Sequence, residues 1–535
     1  MMRTMNTDLP PLIAALLQPQ RYAHEVRRVE LMQTHISWVL LAGEFAYKIK
    51  KPVRLHFLDF STLSLRRKYC LDELRLNRRF APDIYLDVIG IFNTPSDPQF
   101  SGQGEPIEYA VKMRRFDQAG RLDHVCARAE LSCAHLSELA QALVSFHTAA
   151  ARAPASSRYG APPAILAQAM DNFADLKTRL PQAAMLARLA ALQTWTLAQF
   201  EQLGNLMERR RQTGHVRECH GDLHLGNLVL IGQRVRMFDC IEFNDDLRWI
   251  DVACEIAFTY VDLLAHDRPA LAVWFVNEVL SRSGDYESAP LLRFYAVYRA
   301  LVRAKVDAIR LTQTLAAPEL EANVLAHIAL AELLVAAPAP RLVITHGPSG
   351  CGKTVASAQL LQTDPHALTL RLRSDVERKR LFGLIVDATS ESATNAGIYT
   401  RQAHDRTYAH LRQLADLLLR AGWSVIVDAS FLTRADRASF RALAHGVGVD
   451  FAILAPQATA AQLRERIHAR AMRGSDASEA TLDVLEDQLH TLEPLGVDEV
   501  ATLQAMPPGQ QVPLPRATAS ASLMPSTPAD KIPPA

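Results

Sequence analysis

Cysteine is scarce in this sequence. Seven cysteines occur among 535 residues, and none belongs to a Cys-x-x-Cys pair. An odd count without paired spacing argues against a disulfide framework and against a structural zinc site. We therefore expect a reducing, cytoplasmic location.

Net charge and long apolar runs are lacking as well. Lys and Arg total 58 and Asp and Glu total 57, so the formal net charge is +1. No overall field attracts nucleic acid or an anionic membrane, and we expect neither as a partner. The short basic clusters at 48–51 and 209–211 are expected to be solvated faces or anion contacts. No apolar stretch reaches the roughly 18 residues of a membrane span, and the run 9–17, with its prolines, predicts an amphipathic helix rather than a signal peptide.

Apolar residues are plentiful. They make up 49% of the chain against 21% charged residues, which is enough for sizeable buried cores in roughly two to four domains. Composition predicts a first domain at 1–335, a Pro/Ala linker at 336–340, a second domain at 341–500 and a Pro/Ala/Ser-rich tail at 501–535. We expect the tail to be disordered.

The two predicted domains differ in the order of their elements. The first begins with strand-like segments and one helical stretch, and becomes helical from about residue 131; these early segments are 36–41, 45–49, 63–79 (helical), 85–92 and 107–113. A small β-rich lobe before a large helical lobe predicts an α+β, bilobal domain. The second alternates strands at 341–345, 424–427 and 450–454 with helices at 353–361, 401–420 and 434–445. Such alternation predicts an α/β domain with a parallel sheet.

The strongest motif lies at the start of the second domain. It follows an apolar strand, precedes a helix and matches G-x-x-x-x-G-K-[ST] through Gly347, Pro348, Ser349, Gly350, Cys351, Gly352, Lys353 and Thr354. Glycines let backbone N–H groups surround phosphates, and the next helix directs its positive end at them. Lys353 is expected to reach the β- and γ-phosphates, and Thr354 to hold Mg²⁺.

Further charged residues follow this loop. Asp375 comes after the apolar run 368–372 and is a candidate for orienting an acceptor hydroxyl, whereas Asp428 ends a strand and is a candidate for the Mg²⁺ site. Arg466, Arg470 and Arg473 share one helix face and would close over phosphates as a lid. A surface ion-pair run at Asp375 and a solvated basic helix remain the alternatives. Together these segments resemble the small-molecule and polynucleotide kinases of the P-loop class, including zeta-toxin-like, gluconate-kinase-like and chloramphenicol-kinase-like proteins.

A second motif lies in the first domain. His220-Gly-Asp222-Leu-His-Leu-Gly-Asn227 has the H-x-D-x-x-x-x-N spacing of a kinase catalytic loop. In that arrangement Asp222 orients the acceptor hydroxyl, and Asn227 contacts Mg²⁺. Asp239 follows an apolar stretch and stands where the second metal carboxylate belongs. His220 is expected to pack and orient the loop rather than to carry a proton.

These residues resemble the aminoglycoside phosphotransferase family, which has a kinase-like fold. The resemblance implies that Lys48 pairs with the α- and β-phosphates and that a helix carboxylate, Glu73, pairs with this lysine. Lys50 and Asp72 are the competing candidates, and the segment 107–116 is a candidate hinge for adenine.

Four further features of the first domain bear on the resemblance. Asp251 resembles a family position that braces the catalytic loop, so we expect its role to be structural. Glu242 and Asn244 could join the metal ligands or be solvated. A glycine-rich phosphate loop should precede Lys48, and only Gly43 is present there.

The two halves together resemble bacterial bifunctional proteins with an aminoglycoside phosphotransferase domain and a P-loop kinase domain. This resemblance implies an ATP- and Mg²⁺-dependent phosphotransferase acting on a small-molecule hydroxyl. The alternative is a regulatory nucleotide switch whose N-terminal half binds nucleotide without turnover. A motor ATPase is disfavoured, because it needs neither Asp375 nor the arginine face.

Overall fold

The computed structural model describes residues 9–55, 58–154, 156–313, 318–385, 397–473 and 481–505. The side chains at 312–313 and 470–473 also lie outside the description. The predicted disorder of the tail concerns residues that are almost all outside these ranges. Among the described residues, no helix combines the length and the apolar character needed to cross a membrane.

The N-terminal lobe is built on a six-stranded antiparallel sheet with the order β1-β2-β3-β8-β6-β7. Its elements are α1 (Pro11–Leu16), β1 (Val29–Gln33), β2 (Ser37–Ala42), β3 (Phe45–Lys50), the short pair β4 (Arg54–Leu55) and β5 (Leu58–Asp59), α2 (Leu63–Asn77), β6 (Tyr85–Thr94), β7 (Asp97–Gln99) and β8 (Glu108–Arg114). The helix α2 begins at Thr62, whose hydroxyl accepts a hydrogen bond from the Leu65 N–H at 3.2 Å. It packs against β8 and β6, which places it beside the middle of the sheet.

The second lobe is mainly helical. Its elements are α3 (Leu122–Ala127), α4 (Cys133–Ala149), α5 (Pro162–Arg179), α6 (Ala183–Gln212), β9 (Val216–Glu218), β10 (Leu228–Ile231), β11 (Arg234–Met237), α7 (Asp245–Arg248), β12 (Trp249–Asp251), α8 (Val252–Ala265), α9 (Pro269–Ser283), α10 (Ala289–Gln313) and α11 (Pro318–Val335). The helix α8 is buried along almost its whole length, because α9, α10 and α11 pack around it. This buried helix is the platform on which the catalytic loop lies.

The C-terminal part is a four-stranded parallel sheet with the order β14-β15-β13-β16 and helices around it. Its elements are β13 (Arg341–Thr345), α12 (Lys353–Gln362), β14 (Thr369–Arg373), α13 (Ser374–Leu381), α14 (Arg401–Arg420), β15 (Ser424–Asp428), α15 (Arg434–Val447), β16 (Asp450–Leu454), α16 (Ala460–Arg473), α17 (Leu482–Thr491) and α18 (Val497–Val500). The predicted α+β kinase-like part followed by an α/β part with a parallel sheet is therefore confirmed.

Of the two alternatives for the basic clusters, a solvated face or an anion contact, the structure shows contacts with carboxylates at Lys50 and Arg210. Lys50 is 0% exposed and Arg210 is 1% exposed, so neither lies on a solvated face. Arg210 forms paired hydrogen bonds of 2.7–2.9 Å with both Asp251 and Asp285. The sequence shows the charges but not the distant carboxylates that allow their burial.

The two parts of the molecule share one continuous apolar core, and α9 covers the edge strand β14. Asn277 on α9 holds this edge with its side-chain amide. Its Nδ2 donates to the Thr369 carbonyl at 3.1 Å, and its Oδ1 accepts from the Arg371 N–H at 2.6 Å. One side chain thus takes the place of a neighbouring strand.

Replacing Asn277 with Ala should destabilise the protein by about 2–4 kcal/mol, because two buried backbone groups of β14 lose their partners. Chemical denaturation of the full chain measures this. Asn172→Ala is the matched control, since Asn172 is 1% exposed and its Nδ2 makes no hydrogen bond within the described part of the chain. Equal losses for the two variants would contradict the assignment of Asn277 to the sheet edge.

Candidate active sites

The catalytic loop of the first site joins β9 to β10 and is held from below by Glu255 of α8. Glu255 Oε1 accepts hydrogen bonds from the backbone N–H groups of His220 at 2.5 Å and Gly221 at 2.8 Å, and His147 Nε2 lies 2.6 Å from its other oxygen. Gly221 has φ +87°, and a Cβ there would lie 2.7 Å from the Leu247 carbonyl oxygen. A buried carboxylate and an obligatory glycine therefore fix the start of the loop.

Asp222 and Asn227 stand next to each other at the end of this loop. Asn227 Nδ2 donates to Asp222 Oδ2 at 3.0 Å and to the Asp222 carbonyl at 2.9 Å. His224 Nε2 lies 3.5 Å from Asp222 Oδ2. Burial alone would raise the pKa of Asp222, but the charges of His224 and then Arg303 lower it well below its usual range. Asp222 is consequently a carboxylate at neutral pH.

The hairpin of β10 and β11 brings Asp239 back to the loop. The Phe238 N–H donates to the Asn227 carbonyl at 3.0 Å, so the residues before and after the hairpin are joined. Asp239 itself has φ +63°, and its N–H donates to the Tyr85 hydroxyl at 2.9 Å. Positive φ at a non-glycine residue costs roughly 1–2 kcal/mol, and such strain concentrates at functional sites.

A buried ion network links the two lobes across the cleft. Lys48 Nζ lies 2.8 Å from Glu73 Oε1 and 2.5 Å from Asp239 Oδ1. Lys50 Nζ lies 2.8 Å from Glu73 Oε2 and also pairs with Glu242. Lys48 and Lys50 thus share one carboxylate, whereas Asp72 pairs with the exposed Lys68 four residues away. Of the two candidate lysines, Lys48 is the one that contacts Asp239 within the described part of the chain.

The charges of this network stabilise one another. Burial alone would lower the pKa of Lys48, but Asp239 and Glu73 raise it well above its usual value. Burial would likewise raise the pKa of Glu73, but Lys48 and Lys50 lower it to about 2. Burial raises the pKa of Glu242, which is 4% exposed and therefore not a solvated loop residue.

The donor set of this cleft suits a hard divalent cation. Asp239 and Asn227 offer oxygen atoms, the ligand type that Mg²⁺ prefers, and Asp222 lies beside them. The side chain of Asp239 is 43% exposed, so its second oxygen is accessible from the cleft. Because Asn227 donates through Nδ2, its Oδ1 is left to coordinate a cation.

The strand order shows where the single glycine before Lys48 lies. Gly43 is in the turn between β2 and β3, and the preceding β1–β2 hairpin has the connection Thr34-His35-Ile36, which contains no glycine. Arg310 Nε of α10 lies 3.2 Å from His35 Nε2 at its tip. The hairpin therefore contacts the helical lobe through a side chain.

The phosphate loop of the second site joins β13 to α12, as its motif predicts. Gly347, Gly350 and Gly352 have φ of +131°, +85° and +101°. Lys353 Nζ donates to the carbonyls of Gly347 and Pro348, both at 2.8 Å, so the lysine lies across the loop. Thr354 is the second residue of α12 and is exposed. Cys351 is buried in a small cluster with Leu463, Ile467 and Leu485.

Asp375 and Asp428 emerge at the same edge of the parallel sheet. Arg373, the last residue of β14, pairs in register with Asp428. Asp375 follows two residues later in the first turn of α13 and therefore lies at the same edge. Asp428 is buried, and its Oδ2 lies 3.1 Å from the Ser357 hydroxyl, one turn beyond Thr354. Both carboxylates thus lie at the carboxyl ends of the parallel strands, the edge of the sheet at which the phosphate loop also begins.

The helix α16 covers the phosphate loop. Arg466 donates to the Gly350 carbonyl at 3.1 Å, and a Cβ at Gly350 would lie 3.0 Å from the Leu463 carbonyl oxygen. The predicted functions of Arg470 and Arg473 concern side chains outside the described part, although their backbone continues α16.

The sequence did not identify the support of the catalytic loop correctly. Asp251 pairs with Arg210 and caps α8 through the Ala253 N–H at 2.8 Å, whereas Glu255, four residues later, holds the loop. Asn244 caps α7 by accepting from the Asp246 N–H at 2.9 Å. Glu255 lies on a strongly apolar helix. A carboxylate in such a helix was the one sequence signal that could have indicated its buried role.

Replacing Glu255 with Gln should lower the free energy of unfolding by roughly 3 kcal/mol near pH 7. Burial alone would raise the pKa of Glu255, but its bonds to His147 lower it from 4.5 to about 2. A depressed carboxyl pKa gives stability that is complete above about pH 4.5 and lost as pH falls toward 2. Denaturation curves should therefore show the two proteins converging on acidification. The exposed Glu130→Gln is the control, and a difference independent of pH would contradict the prediction.

Comparisons with known proteins match both parts of the chain. A family model described as "Phosphotransferase enzyme family" matches residues 63–287, and one described as "AAA domain" matches residues 342–495. The uncharacterized protein Rv2004c of Mycobacterium tuberculosis (strain ATCC 25618 / H37Rv) is 31% identical over 464 residues, which cover 84% of this chain and 88% of that protein.

Two solved structures are also similar. A choline/ethanolamine kinase family protein from Mesorhizobium loti has a TM-score of 0.37 and 13% identity, covering 59% of this chain and 90% of that chain. The amicoumacin kinase hAmiN, in complex with AMP-PNP, Ca²⁺ and Ami, has a TM-score of 0.38 and 15% identity, covering 60% and 91%.

The fold, the two motifs and the matching family models define the class of this protein: it is a kinase or phosphotransferase with a phosphotransferase-family part and a P-loop nucleotide-binding part. Both halves align with one relative over most of the chain. The chain belongs to the family of two-part proteins that includes mycobacterial Rv2004c.

Proposed function

We propose that this protein transfers the γ-phosphoryl group of ATP, with Mg²⁺, to a small-molecule hydroxyl, and that it has two separate nucleotide sites. The observation that carries the proposal is the link from Lys48 to both Glu73 and Asp239 across the N-terminal cleft. In kinases a lysine paired with a helix carboxylate positions the nucleotide phosphates, and catalysis consists mainly of positioning and charge neutralisation.

In the first site, Asp222 would orient the acceptor hydroxyl, and Asn227 and Asp239 would hold Mg²⁺. Mg²⁺ held there would neutralise the negative charge that develops on the phosphate groups during transfer. The ionised state of Asp222 favours a hydrogen bond from the hydroxyl rather than early removal of its proton.

In the second site, the phosphate loop, Lys353 and the N-terminus of α12 would hold the triphosphate. Thr354 and Asp428 would hold Mg²⁺, Asp375 would orient an acceptor, and Arg466, Arg470 and Arg473 would form the lid. The contact of Arg466 with the loop carbonyl of Gly350 supports the assignment of α16 as this lid.

The alternative, a nucleotide switch with an inactive N-terminal half, is favoured by the β1–β2 turn, which lacks glycine. Both proposals are tested by measuring γ-phosphate transfer from ATP to a metabolite library with wild type, Asp222→Ala and Lys353→Ala. Transfer that is lost in Asp222→Ala and kept in Lys353→Ala supports an active first site. ATP binding to Lys353→Ala without any transfer supports the switch.

A further inference from the structure

One face of α10 carries a row of charged side chains along the N-terminal cleft. Arg299, Arg303, Asp307 and Arg310 lie four, four and three residues apart. At this spacing they share one side of the helix, and we call them the α10 row. The row has three cations and one anion, and its two ends have different surroundings.

The first end of the row lies beside the catalytic loop. Arg299 stacks on the Phe258 ring, with 4.6 Å between its guanidinium carbon and the ring centroid. The same ring lies 5.8 Å from the His224 ring, which is next to Asp222. Arg299 also donates to the Cys254 carbonyl at 3.4 Å. Its charge is therefore held against α8 at the level of the loop.

The other end of the row lies under the β1–β2 turn. Arg310 contacts His35 at 3.2 Å and Asp307 at 3.3 Å. His327 Nε2 of α11 lies 3.6 Å from the second oxygen of Asp307. The only anion of the row is thus paired with Arg310 and His327.

Arg303, in the middle of the row, has no such partner. Its Nε is buried without a hydrogen bond, and it forms no ion pair within the described ranges. Nδ1 of His327, a side chain that is 8% exposed, is also buried without a hydrogen bond there. Arg303 lies one helical turn after Arg299, which is at the level of the catalytic loop, and one turn before Asp307. Its charge contributes to the lowered pKa values of Asp222 and His327. A buried guanidinium N–H without an acceptor is costly, and an anionic ligand would supply that acceptor.

We propose that Arg303 binds an anionic group of the acceptor at the first site, so that the acceptor is a hydroxy compound carrying a carboxylate or a phosphate. This inference rests on the proposed function of that site. The acceptor oxygen would bond to the γ-phosphorus while the bond from this phosphorus to the β–γ bridging oxygen breaks. ADP would leave, and the hydroxyl proton would pass to Asp222 or to solvent. The anionic group would fix which hydroxyl lies at Asp222.

The first test is an acceptor panel with γ-labelled ATP and the full-length Lys353→Ala protein, which isolates the first site. The panel contains matched hydroxy compounds: neutral polyols, cationic amino alcohols and aminoglycosides, hydroxy acids and sugar phosphates. We expect Asp222-dependent transfer to hydroxy acids or sugar phosphates only. Transfer confined to neutral or cationic acceptors would overturn this inference and leave the proposed function intact. No transfer and no ATP binding would instead contradict the proposed function.

The second test assigns the anion contact to Arg303. With an accepted anionic substrate, Arg303→Met should raise its KM about 10- to 100-fold, because a hydrogen bond to a charged group is lost. KM for ATP should stay unchanged, and Arg303→Lys should restore part of the affinity. The control is Lys305→Met, two residues away on a different face of α10. A fall in kcat with an unchanged acceptor KM would place Arg303 on the transferring phosphoryl group and overturn the proposal.

A binding test needs no known acceptor. Inorganic phosphate should raise the melting temperature of the Lys353→Ala protein saturated with Mg²⁺ and AMP-PNP, and this increase should vanish when Arg303→Met is added. An equal increase in both proteins would contradict an anion site at Arg303.

Discussion

The Asp222→Ala variant is expected to lose phosphoryl transfer at the first site by about 10²–10⁴-fold while it still binds ATP. The carboxylate stands at the end of a loop that Glu255 and Asn227 hold in place, and it is the group that would orient the acceptor hydroxyl. The proposed nucleotide site depends mainly on Lys48, Glu73 and Asp239, which are joined by ion pairs and which the substitution does not change. Single-turnover transfer and calorimetric ATP binding, both in a Lys353→Ala background, separate the two effects.

Two further variants sharpen this prediction. Asp222→Asn keeps the shape but lacks the charge, and it should be nearly as inactive as Asp222→Ala. Asp83→Ala removes an exposed aspartate of the N-terminal lobe and should retain full activity. Because the pKa of Asp222 is lowered, the rate of the wild type should not titrate with this group above about pH 4. Unchanged transfer in Asp222→Ala would contradict the assignment of this residue.

The second large effect is expected at the phosphate loop. Lys353→Ala should lower turnover at the proposed C-terminal site by at least about 10²-fold, because it removes the cation proposed to contact the transferring phosphoryl group. The side chain already lies across the loop, held by the Gly347 and Pro348 carbonyls. Nucleotide affinity at this site should fall as well, which fluorescent-nucleotide titration measures in an Asp222→Ala background.

The matched control for Lys353→Ala is Arg420→Ala, which removes an exposed cation of the same part of the chain. This control should bind nucleotide like the wild type. If Lys353→Ala also binds and turns over nucleotide normally, the loop motif does not form a nucleotide site in this protein.

Much of the fold follows from local patterns. The strands 341–345 and 450–454 and the helix 401–420 have the predicted bounds, because each is a regular apolar pattern between turn residues. The strand β1 (Val29–Gln33) was not predicted, since five residues of mixed polarity give no clear period. The predicted helix start at 9–17 contains α1, which has six residues.

The candidate sites include contacts that local sequence patterns do not predict. Motif spacing brings Asp222, Asn227 and Asp239 together, because a short hairpin joins them. It could not show that Glu255 holds the catalytic loop, nor that Asn277 covers the edge of the parallel sheet. Both contacts join elements that are distant along the chain. They form only after the helices have packed. The lack of glycines before Lys48 was visible in the sequence, but the strand order was needed to show that Gly43 lies between β2 and β3 and not between β1 and β2.

The two sites are not independent bodies in this fold. Tyr286, which precedes α10, donates to Glu377 at 3.1 Å in the same helix that carries Asp375. The Trp423 indole donates to the Ala289 carbonyl at the start of α10 at 3.0 Å. The helix with the α10 row therefore begins at the surface that the C-terminal part covers.

The most direct test of the account is the number of nucleotides bound per chain. Calorimetry with Mg²⁺ and AMP-PNP should give two sites for the wild type and one for Lys353→Ala. It should also give one for the Lys48→Ala variant, which lacks the lysine joined to Glu73 and Asp239. A single site in the wild type, abolished entirely by Lys353→Ala, would contradict a nucleotide site in the N-terminal cleft.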